Sequence, residues 1–207
     1  MSDAWYRNTD WNAAIEDEFR QRLSRARGQR SQYLRIQAYN LTESHPRVAL
    51  SLLDEYFASG DSFDLAAAHV ERAQAYLALG DLDAALSSYE DALQREREFP
   101  RMRTTAYVDF ACLVAVARVA SLYERSLSVL DERPEEPLFP VERYRKHGAR
   151  ALLLSELGRP HEATEAADTA MAAASQVQSG LRYHQKLGLV GDTSDEFGRR
   201  VAALAAK

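Results

Sequence analysis

The chain has 207 residues, of which 46% are hydrophobic and 28% charged, with a formal net charge of −5. That length predicts a single domain over residues 1–207 sharing one core, and no run approaches the roughly 18 apolar residues that a membrane span needs. The acidic balance repels nucleic acid and anionic membrane surfaces, and the lone Cys112 excludes an internal disulfide or a multi-cysteine zinc site.

The opening "MSDAWYRNTDWNAAIEDE" lacks the basic start and apolar middle of a signal peptide, so the expected location is cytoplasmic. Asp10 is predicted to cap a first helix over Trp11–Arg27, with Trp11, Ile15, Phe19, Leu23 and Ala26 on one face that covers the hairpin behind it. Residues 1–28 thus read as an N-terminal cap.

Downstream, apolar residues recur at three and four, and alternating strand patterns are nearly absent. Breakers at Gly28, Glu43–Pro46, Ser59–Ser62, Gly80, Phe99–Arg101, Arg133–Pro140, Gly158–Pro160 and Ser179 divide the chain into about nine helices. The fold class is all-α. Residues 29–178 read as about four helical hairpins, and residues 179–207 as an irregular segment followed by a last helix. Ser194 or Asp195 caps that helix over Glu196–Ala205, and the stretch before it, too apolar for a solvated linker, is expected to fold back on the hairpins.

In "AQAYLALGDLDAALSSYEDAL", Ala73, Tyr76, Gly80, Ala85, Tyr89 and Ala92 stand at spacings of 3, 4, 5, 4 and 3. Small alanines let two antiparallel helices approach, the tyrosines fill the space beside them, and Gly80 ends the first helix before Asp81 opens the second. The same frame recurs as Ala151, Leu154, Gly158, Ala163, Ala167 and Ala170. A degenerate copy, Ala111, Val114, Arg118, Tyr123, Leu127 and Leu130, has arginine at the glycine position, and Leu34, Ala38 and Leu41 pair with Ala49, Leu53 and Tyr56 upstream.

Over about Gln29 to Ser175 these spacings resemble the tetratricopeptide-repeat superfamily. The resemblance implies a right-handed superhelical solenoid of antiparallel hairpins with capping helices at both ends. It also implies a concave groove, lined by the first helix of each hairpin, that commonly binds peptides or protein segments. Projecting the repeat register places Gln32, Arg35, Tyr39, Glu71, Gln74, Asp109, Cys112 and Arg145 on that groove. Chaperone-tail binders of the superfamily hold a C-terminal carboxylate with lysine, asparagine and arginine; Glu71 and Asp109 depart from that pattern, so no such clamp is expected.

The leading reading is therefore a non-enzymatic scaffold whose partner is a protein or peptide, without cofactor or metal. "HEATE" at His161–Glu165 has glutamate where a zinc-protease helix needs its second histidine, and "LGLVGDTS" at Leu187–Ser194 lacks the lysine of a phosphate loop. Two rival readings remain. Arg20, Arg22, Arg25, Arg27, Arg30 and Arg35 offer a nucleic-acid patch, but Glu16 and Glu18 stand four residues before Arg20 and Arg22, which favours a salt-bridged surface. An enzyme site at the C-terminal segment would use Tyr183 and His184. Trp5, Tyr6 and Trp11 read as buried staples of the first helix, and pairing of open ends into a homodimer suits the architecture. The preference for arginine over lysine fits a GC-rich bacterial coding sequence.

Overall fold

The computed structural model describes residues 5–60 and 63–206, so Asp61 and Ser62 of the turn predicted at Ser59–Ser62 lie outside the described residues. Among the described residues there are ten α-helices, against about nine expected, one short 3-10 turn and no strand. No helix is long and apolar enough to cross a membrane. The chain forms two compact units, residues 1–106 and 107–207.

The first unit contains α1 (Ala13–Leu23), α2 (Arg30–Leu41), α3 (Pro46–Ala58), α4 (Leu65–Ala78) and α5 (Leu82–Glu98). Helices α2 and α3 pack as one hairpin, α4 and α5 as the next, and α3 packs on α4. Phe19 and Leu23 of α1 join Leu34, Ala38 and Leu41 of α2 and Ala49, Leu53 and Tyr56 of α3 in one core, all at most 1% exposed. Trp5, Tyr6 and Trp11 pack against that core, as staples should; Ile15 and Ala26 are only partly covered.

The start of α1 differs from expectation. Its cap is Asn12, whose side chain accepts from the Ile15 N–H at 3.1 Å, because Asp10 is engaged by the Trp11 N–H at 2.8 Å and by His45 at 3.1 Å. Trp11 is thereby held outside the helix, its ring 5.5 Å from that of Phe19. The helix also stops at Leu23 rather than Arg27, since the N–H groups of Arg25 and Ala26 turn back onto the carbonyls of Arg22 and Leu23. Ahead of it, the fully buried Gln37 amide accepts from the Asn8 N–H at 3.0 Å and donates to the Asn8 carbonyl at 2.8 Å, fastening the N-terminal segment to α2.

The second unit contains α6 (Ala106–Ala117), the 3-10 turn Ala120–Leu122, α7 (Tyr123–Asp131), α8 (Pro140–Glu156), α9 (Pro160–Ala174) and α10 (Glu196–Ala205). Helices α8 and α9 form its closest hairpin, and α10 lies on both. The expected last helix is present, with Asp195 as its cap, accepting from the Gly198 N–H at 2.7 Å. Phe197 meets Tyr144 edge-to-face at 5.6 Å and lies over Gly148, where a Cβ would come within 2.6 Å of the ring. A glycine inside α8 is therefore the space that α10 occupies. The irregular stretch before α10 is fastened at Gly188, whose carbonyl accepts from the Val141 N–H at 2.9 Å, but Val177 and Tyr183 stand 80% and 81% exposed. Only part of it folds back.

One turn recurs in both units. Gly80, Gly158 and Arg118 have φ of 76°, 73° and 55°, and after each the next N–H reaches back five residues: Asp81 to Tyr76, Arg159 to Leu154, Val119 to Val114, at 2.9–3.1 Å. This is the left-handed helix stop that satisfies terminal carbonyls and reverses the chain at once. Among the described residues Arg118 is the one non-glycine with positive φ, held there at a cost of about 1–2 kcal/mol. Arg118→Gly is expected to raise stability by about 1 kcal/mol and Gly80→Ala to lower it by a similar amount, read as opposite shifts in the urea midpoint.

A second test concerns α10. At Gly198 a Cβ would lie 2.0 Å from the Thr193 carbonyl oxygen, which is backbone and cannot swing away. Gly198→Ala is expected to break the Asp195 cap and release the helix, seen as faster amide exchange confined to residues 195–206.

Candidate functional site

In the first unit the predicted groove residues come from α2 (Gln32, Arg35, Tyr39) and α4 (Glu71, Gln74). A turn of helix separates Arg35 from Tyr39 and Glu71 from Gln74, so each pair lies along one face. Arg35 makes a short hydrogen-bonded ion pair with Glu71, and its Nε lies 3.3 Å from Asp64. Glu71 is only 5% exposed, and burial pushes its carboxyl up to about 8 although Arg35 pulls it the other way. Its second oxygen is buried without a hydrogen bond. These two residues join the hairpins and are spent on each other.

Further along the same helices, Tyr39 is 57% exposed and, with Gln74, lines a groove of about 760 Å³ that also takes in Asn40, Glu43 and Leu77. The Asn40 amide donates to the Ile36 carbonyl and the Thr42 hydroxyl to that of Tyr39, so those donors already serve the backbone. What faces solvent is a phenol ring, an aliphatic side chain, one amide and one carboxylate. Gln32 is exposed and lies outside this groove.

In the second unit, Asp109 and Cys112 of α6 meet Arg145 of α8. The guanidinium lies 2.7 Å from the Asp109 carboxylate, and the Cys112 Sγ donates to the Arg145 carbonyl at 3.6 Å. Burial pushes the thiol up to about 11, so it stays protonated at neutral pH and is a poor nucleophile. Nearby, Lys146 is 3% exposed and donates to the carbonyls of Arg133 and Glu135, each at 3.0 Å, clamping the Arg133–Pro140 connection to α8.

A cavity of about 490 Å³ in this unit, between α7, α8 and α9, carries chemistry that no sequence spacing announces. Both its arginines are paired within the wall: Arg150 with Asp131 at 2.5 Å, and Arg159 with Glu162 at 2.5 Å. Its parts come from three helices, so a register argument along one helix could not collect them.

The remaining candidates disperse. Arg20 lies 2.7 Å from Glu55 and 3.7 Å from Glu16, Arg22 lies 2.8 Å from Glu18, and Arg30 lies 3.7 Å from Glu55. With Arg35 turned to Glu71, four of the six arginines are engaged. Tyr183 and His184 stand in solvent, and His161 of "HEATE" pairs with Glu165 at 3.5 Å on an exposed face.

Glu71 makes a pH dependence readable. Its carboxyl titrates higher folded than unfolded, so between about 4.5 and about 8 the folded state holds the extra proton. Stability is then fully present below the lower value and is lost as pH rises toward the upper one, by up to about 1 kcal/mol per pH unit. Glu71→Gln is expected to flatten that slope in urea melts between pH 5 and pH 8; an unchanged slope would place the proton elsewhere.

A family model of the tetratricopeptide repeat matches residues 66–99. Those residues cover nearly all of α4, the Gly80 turn and α5. No curated protein and no solved structure matches the chain. With its packed helix pairs and its recurrent left-handed stop, the chain is a helical-repeat protein that is similar to the tetratricopeptide repeat over residues 66–99.

Proposed function

We propose that this protein is a non-enzymatic interaction scaffold, acting in the cytoplasm, that holds a segment of a partner protein on the inner face of its first unit. The observation that carries the reading is the groove of about 760 Å³ beside α2 and α4, where Tyr39 and Leu77 are exposed next to the Gln74 amide. An exposed aromatic beside an aliphatic and a free amide is the composition of a binding surface rather than of a solvated one. The segment it suits is internal. A C-terminal carboxylate needs free cations, and Arg35 and Arg145 each already face a carboxylate. The protonated Cys112 thiol and the solvent-exposed Tyr183 and His184 give no converging set of reactive groups, which favours binding over catalysis.

The test is photocrosslinking in the native cell with p-benzoylphenylalanine in place of Tyr39, beside a control in place of the exposed Ser87 on α5. A discrete protein adduct from position 39, absent from position 87 and lost when Gln74→Ala and Leu77→Ala are added, is expected. An adduct to a second copy of the chain would make the partner a homodimer. Equal labelling at both positions would sink the proposal.

A further inference from the structure

From Arg20 to Arg35 the sequence "RQRLSRARGQRSQYLR" holds six arginines and no aspartate or glutamate, in a chain whose net charge is −5. The fold sorts them. Arg20 and Arg30 turn to Glu55 and Arg35 turns inward to Glu71, while Arg22 is bridged to Glu18. Arg25 and Arg27 remain, exposed, on the turn after α1 and without an ion pair among the described residues.

Both line a cleft of about 710 Å³. Its other wall is aromatic: Trp5 and Tyr33, with rings 4.9 Å apart in edge contact and both partly exposed. Among the described residues its one carboxylate, Glu18, already holds Arg22 at 2.8 Å. Two guanidinium groups thus share a cleft with two aromatic rings, and among the described residues no unpaired carboxylate lines it.

We propose that this cleft binds a short acidic segment of a partner protein, placing carboxylates on Arg25 and Arg27 and an aromatic or aliphatic side chain against Trp5 and Tyr33. The guanidinium fork matches a carboxylate bidentately, and a partly desolvated aromatic wall rewards an apolar neighbour of that carboxylate. A long polyanion fits less well, because beyond the cleft it would run onto an acidic molecule, whereas a few residues stay within reach of the arginines. The cleft uses none of the residues of the Tyr39 groove, so either site can fail without the other.

The experiment uses the full chain and a fluorescein-labelled peptide, acetyl-Glu-Asp-Phe-Glu-Asp-amide, followed by anisotropy at low salt, with the isosteric Gln/Asn peptide and a short oligothymidylate as competitors. The double variant Arg25→Glu with Arg27→Glu alters only exposed side chains, and its fold is checked by helical circular dichroism. Saturable binding is expected, weakened about tenfold or more by the double variant and by added salt, and unchanged by Tyr39→Ala. Three results would overturn the proposal: no binding of the acidic peptide, equal competition by the neutral peptide, or oligothymidylate displacing the peptide more strongly than unlabelled peptide does. The last would reassign the cleft to nucleic acid.

Discussion

The repeat architecture depends on one backbone event, a single left-handed residue at the end of the first helix of a hairpin. At Gly80 and Gly158 it lets the chain reverse within two residues, so the two helices run antiparallel at once and small side chains meet. Ala73 and Ala85, and likewise Ala151 and Ala163, are wholly buried where the helices approach. A looser turn would separate those alanines and leave a gap that the tyrosines beside them could not fill. Arg118 shows the order of command: the same backbone state and the same five-residue hydrogen bond persist with a side chain that disfavours them. The surrounding packing imposes the turn, and glycine merely removes its strain.

How far the sequence could be read follows from how local each determinant is. The hairpins were legible because alanine, tyrosine and glycine spacings act within one helix pair. The cap of the last helix was legible as Ser194 or Asp195, because a cap needs only the N–H three residues on, and Asp195 is the one that makes the bond. Asp10 misled because His45, 35 residues later, takes its side chain, leaving Asn12 to cap α1. The register put Arg35 and Glu71 on one surface but could not say that they face each other, since helical period locates a side chain on its own helix and is silent about the neighbour. Gly148 held a usable signal: a glycine inside a helix asks for a close neighbour, and Phe197 is that neighbour.

The polar groups on the packed faces mostly serve construction. Arg35 with Glu71, and Arg145 with Asp109, are engaged pairwise between helices, Lys146 fastens a connection, and Gln37 holds the N-terminal segment. A hydrogen-bonded pair of this sort adds little net stability but penalises any packing that would leave one partner alone, and so it selects one arrangement of neighbouring hairpins. In the proposed groove the residues left for a partner are ones without such a bond, Tyr39, Gln74 and Leu77. That separation explains why the positions most diagnostic of the fold say least about the partner.

Several of the hydrogen bonds that tie separate elements together share a measure along the chain. Asn8 to Gln37 spans 29 residues, Arg20 to Glu55 35, Arg35 to Glu71 36, Cys112 to Arg145 33, Arg143 to Gln176 33 and Tyr107 to Glu142 35. Each closes a loop of about one repeat, so each carries nearly the same entropic cost, and ordering can pass from one hairpin to the next without waiting for distant chain. Arg200 breaks this measure. Its guanidinium donates to the Ala115 carbonyl, 85 residues earlier, and to Glu156, 44 residues earlier. During synthesis these two ties of α6 and α8 cannot form until residue 200 has emerged, whereas the residues that make the first unit's own contacts have all emerged long before.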